Sequence, residues 1–477
     1  MNGALISLAT PLLCALMLVL AGPNVSFNRA GLITITGSVI SLIAAAVALT
    51  SVAGEMPALL NIGNWQVGLA IRLRLSPLSA LLLVFTAFMH LLIGLYARFS
   101  VQRASNDFWA LSCFLHASLA ALWLSADLFN LYITLELLGL AAVAMVALSG
   151  PKAYRAAANY LILSLAASLF YLLGIVFLYG QYNTLDIVQL GSLAQNNNIT
   201  RLALVLMTVA LMIKGALWPM HLWLPAAHSN APTAVSALLS GLVVKGPLFI
   251  LWLVWTEIAP PELAQKIGPA MAAAGMLALL VGGWSAMRSP YIKTLVAHST
   301  VAQLGYALMA LGLLMTWQMP QMHIALWLFV IAHGLAKASL FLAAGEMQST
   351  LGTKRVSGLR GATQTVPVAM FAFAVAGGSL IGLPPSGGFL AKWVLLEPLL
   401  SQPEYWPWAI GVLIGTLVSA AYVFRVVATA FDRARINPPD TKPHRLGHWL
   451  ALIPALVVWG MALIGEWLIR LLAGGGI

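Results

Sequence analysis

Apolar residues run along this chain in long blocks of near twenty, separated by short polar intervals. A spanning helix needs roughly 20 mostly apolar residues. Applied along the 477 residues, that rule predicts about 14 segments. They start near residues 3, 31, 77, 107, 126, 155, 201, 232, 266, 289, 321, 364, 405 and 447. The longest intervals, near 53–76, 181–200 and 346–363, read as loops too short for a soluble domain. No Lys or Arg precedes Arg29, so the first block lacks the basic start of a cleavable signal peptide and is expected to stay as a helix. The pattern predicts an all-α polytopic membrane protein.

Two blocks are interrupted. Residues 211–225 read LMIKGALWPMHLWLP, with Lys214 ahead of Pro219, His221 and Pro225. Residues 378–393 read GSLIGLPPSGGFLAKW, with Pro384, Pro385, Gly387 and Gly388 ahead of Lys392. Proline removes a backbone donor and kinks a helix. Freed carbonyls at membrane depth are tolerated only where they line a wet cavity. The two interrupted segments stand five apart in order. Broken helices in corresponding positions of two halves point to inverted repeats around a midplane ion path.

Composition strengthens the membrane reading: 61% of residues are hydrophobic, 8% are charged and the mean hydropathy is +0.93. Average soluble domains carry about 25% charged residues. The net charge of +11 does not point to nucleic acid, because the basic residues are scattered among short loops. Cys14 and Cys113 fit neither a disulfide framework nor a metal or iron–sulfur site. Nothing resembles a nucleotide-binding module, a phosphate loop or a cofactor cage, so no cofactor, metal or redox centre is expected. A hard cation needs clustered oxygen ligands, and Asp127 and the Ser/Thr residues are too scattered to argue for one.

Loop charge orients the chain. With the N-terminus outside, fourteen basic residues fall on the inner side, among them Arg29, Arg98, Arg103, Lys293, Arg433, Arg435, Lys442 and Arg445. The outer side holds Arg72, Arg74, Arg201, Lys266 and Arg470. Both termini are therefore expected outside. Lys214, Lys245, Lys337, Lys392 and Arg425 remain within spans. Arg425 lies about two turns from the inner end of its span and could snorkel.

The four lysines lie deeper. At about 1.5 Å per residue, Glu136 is roughly 14 Å beyond Asp127, Lys245 roughly 20 Å past Pro232 and Lys337 roughly 14 Å before Glu346. Each charge centred in hydrocarbon costs at least about 2.5–3.5 kcal/mol. Such residues must face a hydrated protein interior. One structural Glu–Lys pair would leave three lysines unexplained, and Lys392 could instead snorkel outward. His333 shares a helical face with Lys337 and is expected to be its hydrogen-bonding neighbour. His298 has Ser299, Thr300 and Gln303 close by, a cluster that could bind water. His221 and His228 flank the first break, either as plain loop residues or as part of an inner half-channel. A carboxylate that approaches and leaves a buried ammonium changes how tightly the ammonium holds its proton. The expectation is a lateral proton relay through Glu136, Lys214, Lys245, His333, Lys337 and Lys392, with His221, His228, His298 and Ser299 as further relay candidates.

Five stretches carry a family resemblance: TLELLGL around Glu136, IKGALWPMHLWLPAAHSNAPTAVSALLSGLVVK up to Lys245, LVAHSTVAQLGY, HGLAKASLFLAAG and GLPPSGGFLAKW. The chain resembles the antiporter-like subunits shared by respiratory complex I, energy-converting membrane hydrogenases and Mrp-type cation/proton antiporters. The SALLSGLVVK and GLPPSGGFLAKW stretches look most like the D-type member of the Mrp group. The resemblance implies 14 helices, inverted five-helix repeats at spans 4–8 and 9–13, and broken helices 7 and 12. It implies N-terminal helices over 1–106, a first repeat over 107–258, a second over 259–432 and a C-terminal helix over 433–477. It also implies a Glu–Lys pair matched by Glu136 and Lys214, a central lysine matched between Lys245 and Lys337, and a terminal lysine matched by Lys392. The partners implied are other membrane subunits, paralogous antiporter-like ones included, with H+ and either Na+ or K+ as ions, in the lipid of a bacterial or archaeal inner (plasma) membrane. Pro247 departs from the family's usual residues, and His298 stands where many relatives have tyrosine.

Three functional classes follow. The first is a proton-translocating subunit of an Mrp-like antiporter or of a complex I-like or hydrogenase-type translocase, any redox enzymology belonging to the assembly. The second is a proton-driven energising subunit of an inorganic-carbon uptake complex. The third is a stand-alone transporter or an inert scaffold.

Overall fold

A computed structural model describes residues 1–52, 57–62, 71–100, 105–432 and 445–474. Of the basic residues named above, Arg103, Arg433, Arg435, Lys442 and the Arg445 side chain lie outside them. Among the described residues, 12 helices are long and apolar enough to cross a membrane.

The first elements are α1 (Asn2–Ala21), α2 (Phe27–Val52), strands β1 (Ala58–Ile62) and β2 (Ile71–Leu75), α3 (Pro77–Phe99) and α4 (Asp107–Leu124). Then come α5 (Leu128–Ala147), α6 (Pro151–Tyr182), the short α7 (Ile187–Leu193), α8 (Asn198–Lys214) and α9 (Trp223–Asn230). One continuous span follows, made of α10 (Thr233–Leu238), a π-helical turn (Leu239–Val243), α11 (Lys245–Leu253) and a second π turn (Val254–Ile258). The remainder is α12 (Pro261–Arg288), α13 (Ile292–Trp317), α14 (Pro320–Leu351), α15 (Ala362–Thr365), α16 (Pro367–Ile381), α17 (Gly387–Leu400), α18 (Trp406–Phe431), α19 (Arg445–Gly460) and α20 (Gly465–Gly474).

The intervals read as loops hold more structure than expected. Residues 58–75 include an antiparallel hairpin pairing Ala58 with Leu75, and 181–200 includes α7. The hairpin lies across the adjoining helix ends. Arg72 pairs with Asp186 at 2.8 Å, and Arg74 grips both oxygens of Glu257 at 2.6 and 2.7 Å. Two parallel N–H···O bonds to one carboxylate make this the stronger and more directional tie.

Burial separates axis from rim. The hydropathy windows of α14 and the 233–258 span are wholly buried, and that of α13 nearly so, whereas α1, α6, α12 and α18 keep apolar faces exposed. A helix that is apolar on all sides belongs in a protein interior, and α14 lies against α3, α13, α16, α17 and α19. The buried Glu346 ties three of these together, accepting from Tyr96 Oη at 2.6 Å and lying 3.3 Å from His448 Nε2. The closest helix pair is α12 with α13. Gly268, Gly275 and Gly282, seven residues apart, face Gly312, Gly305 and Ala302, and a Cβ on any of the three would run into the facing backbone. Small residues at such spacing let membrane helices touch main chain to main chain. The opposite face of α13 is left to carry polar side chains toward α14.

Candidate functional site

The first break begins where Lys214 closes α8. Ala216 takes a left-handed φ of 50°, the Trp218–Pro219 bond is cis, and α9 starts at Trp223. The indole of Trp223 donates to the carbonyl of Ile213 at 2.8 Å, beside the Ala216 N–H that the same carbonyl accepts at 3.2 Å, and its ring stacks on Tyr160 with centroids 3.8 Å apart. Braced this way, Lys214 reaches α5 and α6. Its Nζ donates to Glu136 Oε1 at 2.7 Å and to Ser164 Oγ at 3.2 Å, while Ser168 Oγ donates to the same Glu136 oxygen. Gly139 leaves room beside Nζ. Glu136 keeps a fifth of its side chain exposed along the rim, whereas Lys214 is buried.

Lys245 and Lys337 are fully buried in the central span and α14. The π turn before Lys245 sends the Val244 N–H to the Leu239 carbonyl, and the Ser240 carbonyl accepts from Lys245 Nζ instead. A π turn often marks a functional position, because it reassigns a backbone acceptor. Ser240 Oγ lies 2.9 Å from Thr300 Oγ1, which donates to the Val296 carbonyl at 3.1 Å. Lys337 Nζ donates to that same carbonyl at 2.9 Å and to Ser299 Oγ. A row of polar groups therefore joins the two central lysines, its hydrogen bonds interrupted only at Ser240, whose carbonyl holds Lys245 while its hydroxyl meets Thr300.

The line continues to the second break. The Tyr422 hydroxyl lies beside Ser299 and donates to Ser419 Oγ at 3.3 Å. Gln303 Nε2 is 3.1 Å from Tyr422 Oη, 2.8 Å from Ser419 Oγ and 3.3 Å from the Leu380 carbonyl. Lys392 Nζ donates to that carbonyl at 2.9 Å, to Ile381 O at 3.0 Å and to Thr416 Oγ1 at 3.3 Å, and sits 4.4 Å above the Tyr306 ring. Lys392 thus turns inward and does not snorkel. The break supplies its acceptors, as expected of interrupted backbone around a polar cavity.

Among the described residues no hydrogen bond joins Lys214 to Lys245. A cavity of about 10 Å³ lies beside Lys214, lined by Leu135, Leu138, Tyr160, Ser164, Val243 and Pro247 among others. That is room for one water at most. Pro247 withholds the N–H that the Val243 carbonyl would otherwise receive.

Other sequence candidates fall elsewhere. His333 makes no hydrogen bond to Lys337; both ring nitrogens lack a partner and the ring stacks near Phe329. His228 is buried, stacked on Phe341 at 4.6 Å, and likewise unpartnered at both nitrogens. His298 and His221 are half-buried neighbours, away from the face of α13 that carries Ser299, Thr300 and Gln303. Arg425 does not snorkel freely, since it donates to the Met287 carbonyl at the end of α12. Lys293, counted above as a loop charge, is buried and donates to the Ala231 carbonyl at 3.1 Å. Sequence reasoning passed over Ser164, Ser168, Ser240, Ser419 and Tyr422. Their signal was spacing: Ser164 with Ser168 and Ser419 with Tyr422 repeat a polar residue on one helical face of an apolar run.

Residues 125–419 match the family described as NADH:quinone oxidoreductase/Mrp antiporter, transmembrane. The chain is 32% identical over 460 residues to NADH-quinone oxidoreductase subunit N of Desulforudis audaxviator, covering 92% of this chain and 90% of that protein. It is 28% identical over 407 residues to a Na(+)/H(+) antiporter subunit of Alkalihalophilus pseudofirmus, covering 83% of this chain and 81% of that one. A chain in the solved Mrp complex from a Dietzia species shares the fold with a TM-score of 0.89 at 22% identity, covering 98% of this chain and 96% of that chain.

Proposed function

The chain belongs to the NADH:quinone oxidoreductase/Mrp antiporter transmembrane family, and on that premise we propose that it moves protons through the membrane as one subunit of a multi-subunit complex of Mrp or complex I type. Glu136 and Lys214 form the switching pair. Lys245, Lys337 and Lys392 pass the proton on, with Ser240, Thr300, Ser299, Tyr422 and Gln303 between them. The observation that carries this reading is the row of polar groups from Lys245 to Lys392, every lysine of it buried inside the protein. Buried ammonium groups without a counter-charge are costly, and a chain that keeps three of them, Lys245, Lys337 and Lys392, in line with the paired Lys214 uses them. Lys293, His228, His221 and His298 lie toward the side away from the hairpin and supply the relay's inner mouth, while His333 stands deeper, beside Lys245 and Lys337.

Two coarser features enter the same reading. Adding the two interrupted passages, α8/α9 and α16/α17, to the 12 uninterrupted helices gives 14 crossings, divided as 1–106, 107–258, 259–432 and 433–477. Loop charge turns the hairpin side outward with both termini, in the plasma membrane of a bacterium or archaeon. The named relatives do not favour the inorganic-carbon alternative.

The test is proton movement by the assembled complex in proteoliposomes carrying a pH-sensitive dye. Glu136→Gln and Lys214→Ala should each lower the initial rate by about a hundredfold or more, in keeping with the loss of a group that transfers protons directly. Native rates in both variants would end the proposal.

A further inference from the structure

The relay's inner mouth has Lys293 and three histidines, whereas the hairpin side of the same helices carries less. Beyond Lys245 and Lys337 toward that side, the 233–258 span holds Glu257, which Arg74 grips, and α14 holds His323. Between the lysines and His323 stands a run of rings. Phe249 and Trp252 follow Lys245 by four and seven residues on one face of α11, and Trp327 follows His323 by four on α14. Trp252 packs on His323 with centroids 5.3 Å apart and meets Trp327 edge-on at 5.5 Å. Phe249 lies 5.8 Å from Trp327 and 5.1 Å from Trp123.

Three polar atoms of this cluster have no hydrogen-bond partner among the described residues: the indole nitrogens of Trp252 and Trp327, and Nδ1 of His323. All three atoms are shut away from water, in residues that keep 7%, 0% and 6% of their surfaces open. A buried indole N–H ordinarily finds an acceptor, and three unpartnered nitrogens in contacting rings are costly to keep dry. Leucine and phenylalanine would seal the same space without that cost. The nitrogens gain partners when water comes between α11 and α14, where one molecule can accept from an indole and donate to the imidazole. Imidazole suits such a crossing, because it takes a proton on one ring nitrogen and gives one up from the other.

We propose that His323 is the relay's outer proton-release group, behind a dry gate formed by Phe249, Trp252 and Trp327. Lys245 and Trp252 are roughly 10 Å apart along α11, an interval that water entering beside the two indoles would bridge. The proton that Lys245 gives up passes through that water to Nδ1, and the ring's other nitrogen gives one up toward the hairpin side. The imidazole ends neutral, and Lys245 is left to be reloaded from Lys337. This proposal rests on the relay reading and adds the exit that reading leaves open.

Proton movement by the assembled complex in proteoliposomes tests the exit, with Lys337→Met measured beside it at equal amounts of complex. His323→Ala should slow translocation by about a hundredfold, the worth of a positioned proton carrier. Imidazole added to the buffer should then raise the rate of that variant by about tenfold, by entering the space the side chain left. His323→Gln keeps most of the volume and the hydrogen bonding but carries no proton, so it should be as slow and gain nothing from imidazole. A native rate in either His323 variant, or an alanine variant that imidazole leaves unchanged, would overturn the proposal. If Lys337→Met also runs at the native rate, the relay itself has failed. If Lys337→Met is slow while the His323 variants are native, only the exit has.

Discussion

The two broken helices solve one problem in opposite ways. At the first, Lys214 precedes the break and takes side-chain partners, Glu136 and Ser164, while the Ile213 carbonyl accepts from an indole as well as from the Ala216 N–H. At the second, Lys392 follows the break and is solvated by the break's own carbonyls, Leu380 and Ile381. Beyond Lys392 polar groups run on as far as Lys245; beyond Lys214 stand leucines, Val243 and Pro247 around about 10 Å³ of space. One end is a charge pair that can open and close, and the other is a standing polar chain. Removing one member of a buried pair costs about 3–5 kcal/mol, so the pair parts only when another group takes over the charge, and the apolar gap beside it is the natural control point. In the proposed relay such a gap passes a proton only when water enters, so the Lys214–Lys245 interval would act as the valve and the Lys245–Lys392 row as the conductor.

The largest expected effect comes from cutting the conductor. Lys337→Met keeps the length of the side chain, removes the donor to Val296 and Ser299, and relieves a buried charge. Proton translocation by the reconstituted complex should fall by about 10²–10⁴-fold, the worth of a positioned proton carrier, with thermal stability kept or raised. A native rate would mean that the line is scaffolding. Gln303→Leu is gentler. It deletes the amide that touches Ser419, Tyr422 and the Leu380 carbonyl but leaves both lysines in place. One hydrogen bond is worth about 0.5–1.5 kcal/mol, so a loss of about tenfold in rate is expected, measured by the same dye assay.

Sequence carried the conductor's endpoints but not its course. Block length alone placed the helices within a few residues of their observed starts, because about 20 apolar residues is what a bilayer demands. Depth alone singled out Lys214, Lys245, Lys337 and Lys392, since an ammonium in hydrocarbon is too costly to be incidental. Three kinds of feature escaped. The hairpin did, although Ile71–Arg72–Leu73–Arg74–Leu75 alternates with a period of two. The π turn did, because nothing in LSGLV announces an i→i+5 bond. The Ser–Thr–Gln–Tyr bridge did, because it joins residues 60 to 119 positions apart. Lys293 was misread for a related reason: it stands at the second residue of α13, where sequence shows a loop edge but packing against Ala231 buries it.

A smaller effect should come from opening the valve. Leu138 walls the gap and packs beneath Gly246, so Leu138→Ala widens the cavity toward a size that holds water. A Leu→Ala change in a core costs about 2–5 kcal/mol of stability. The expected gain is a rise of about two- to fivefold in passive proton leak across proteoliposomes, which follows if each water admitted shortens the dry interval. A leak equal to that of the unaltered protein would place the barrier elsewhere and level the two regions.

The smallest effect concerns the turns that make the breaks. Ala216 holds φ at 50° and Gly382 at 91°, so a left-handed residue shapes each interruption, but only the second is a glycine. A side chain in that region costs about 1–2 kcal/mol, and glycine regains only part of it because the unfolded chain gains freedom. Ala216→Gly should therefore move the thermal midpoint by a degree or less. Gly382→Ala adds the full strain and sets a Cβ about 3.0 Å from Lys392 Cδ, and it should lower the midpoint by about 2–4 °C. The second break is the one whose backbone solvates a lysine, so only Gly382→Ala should also slow proton movement. Equal behaviour of the two variants would mean that the breaks are interchangeable hinges, and the contrast between a paired lysine and a backbone-solvated one would lose its functional content.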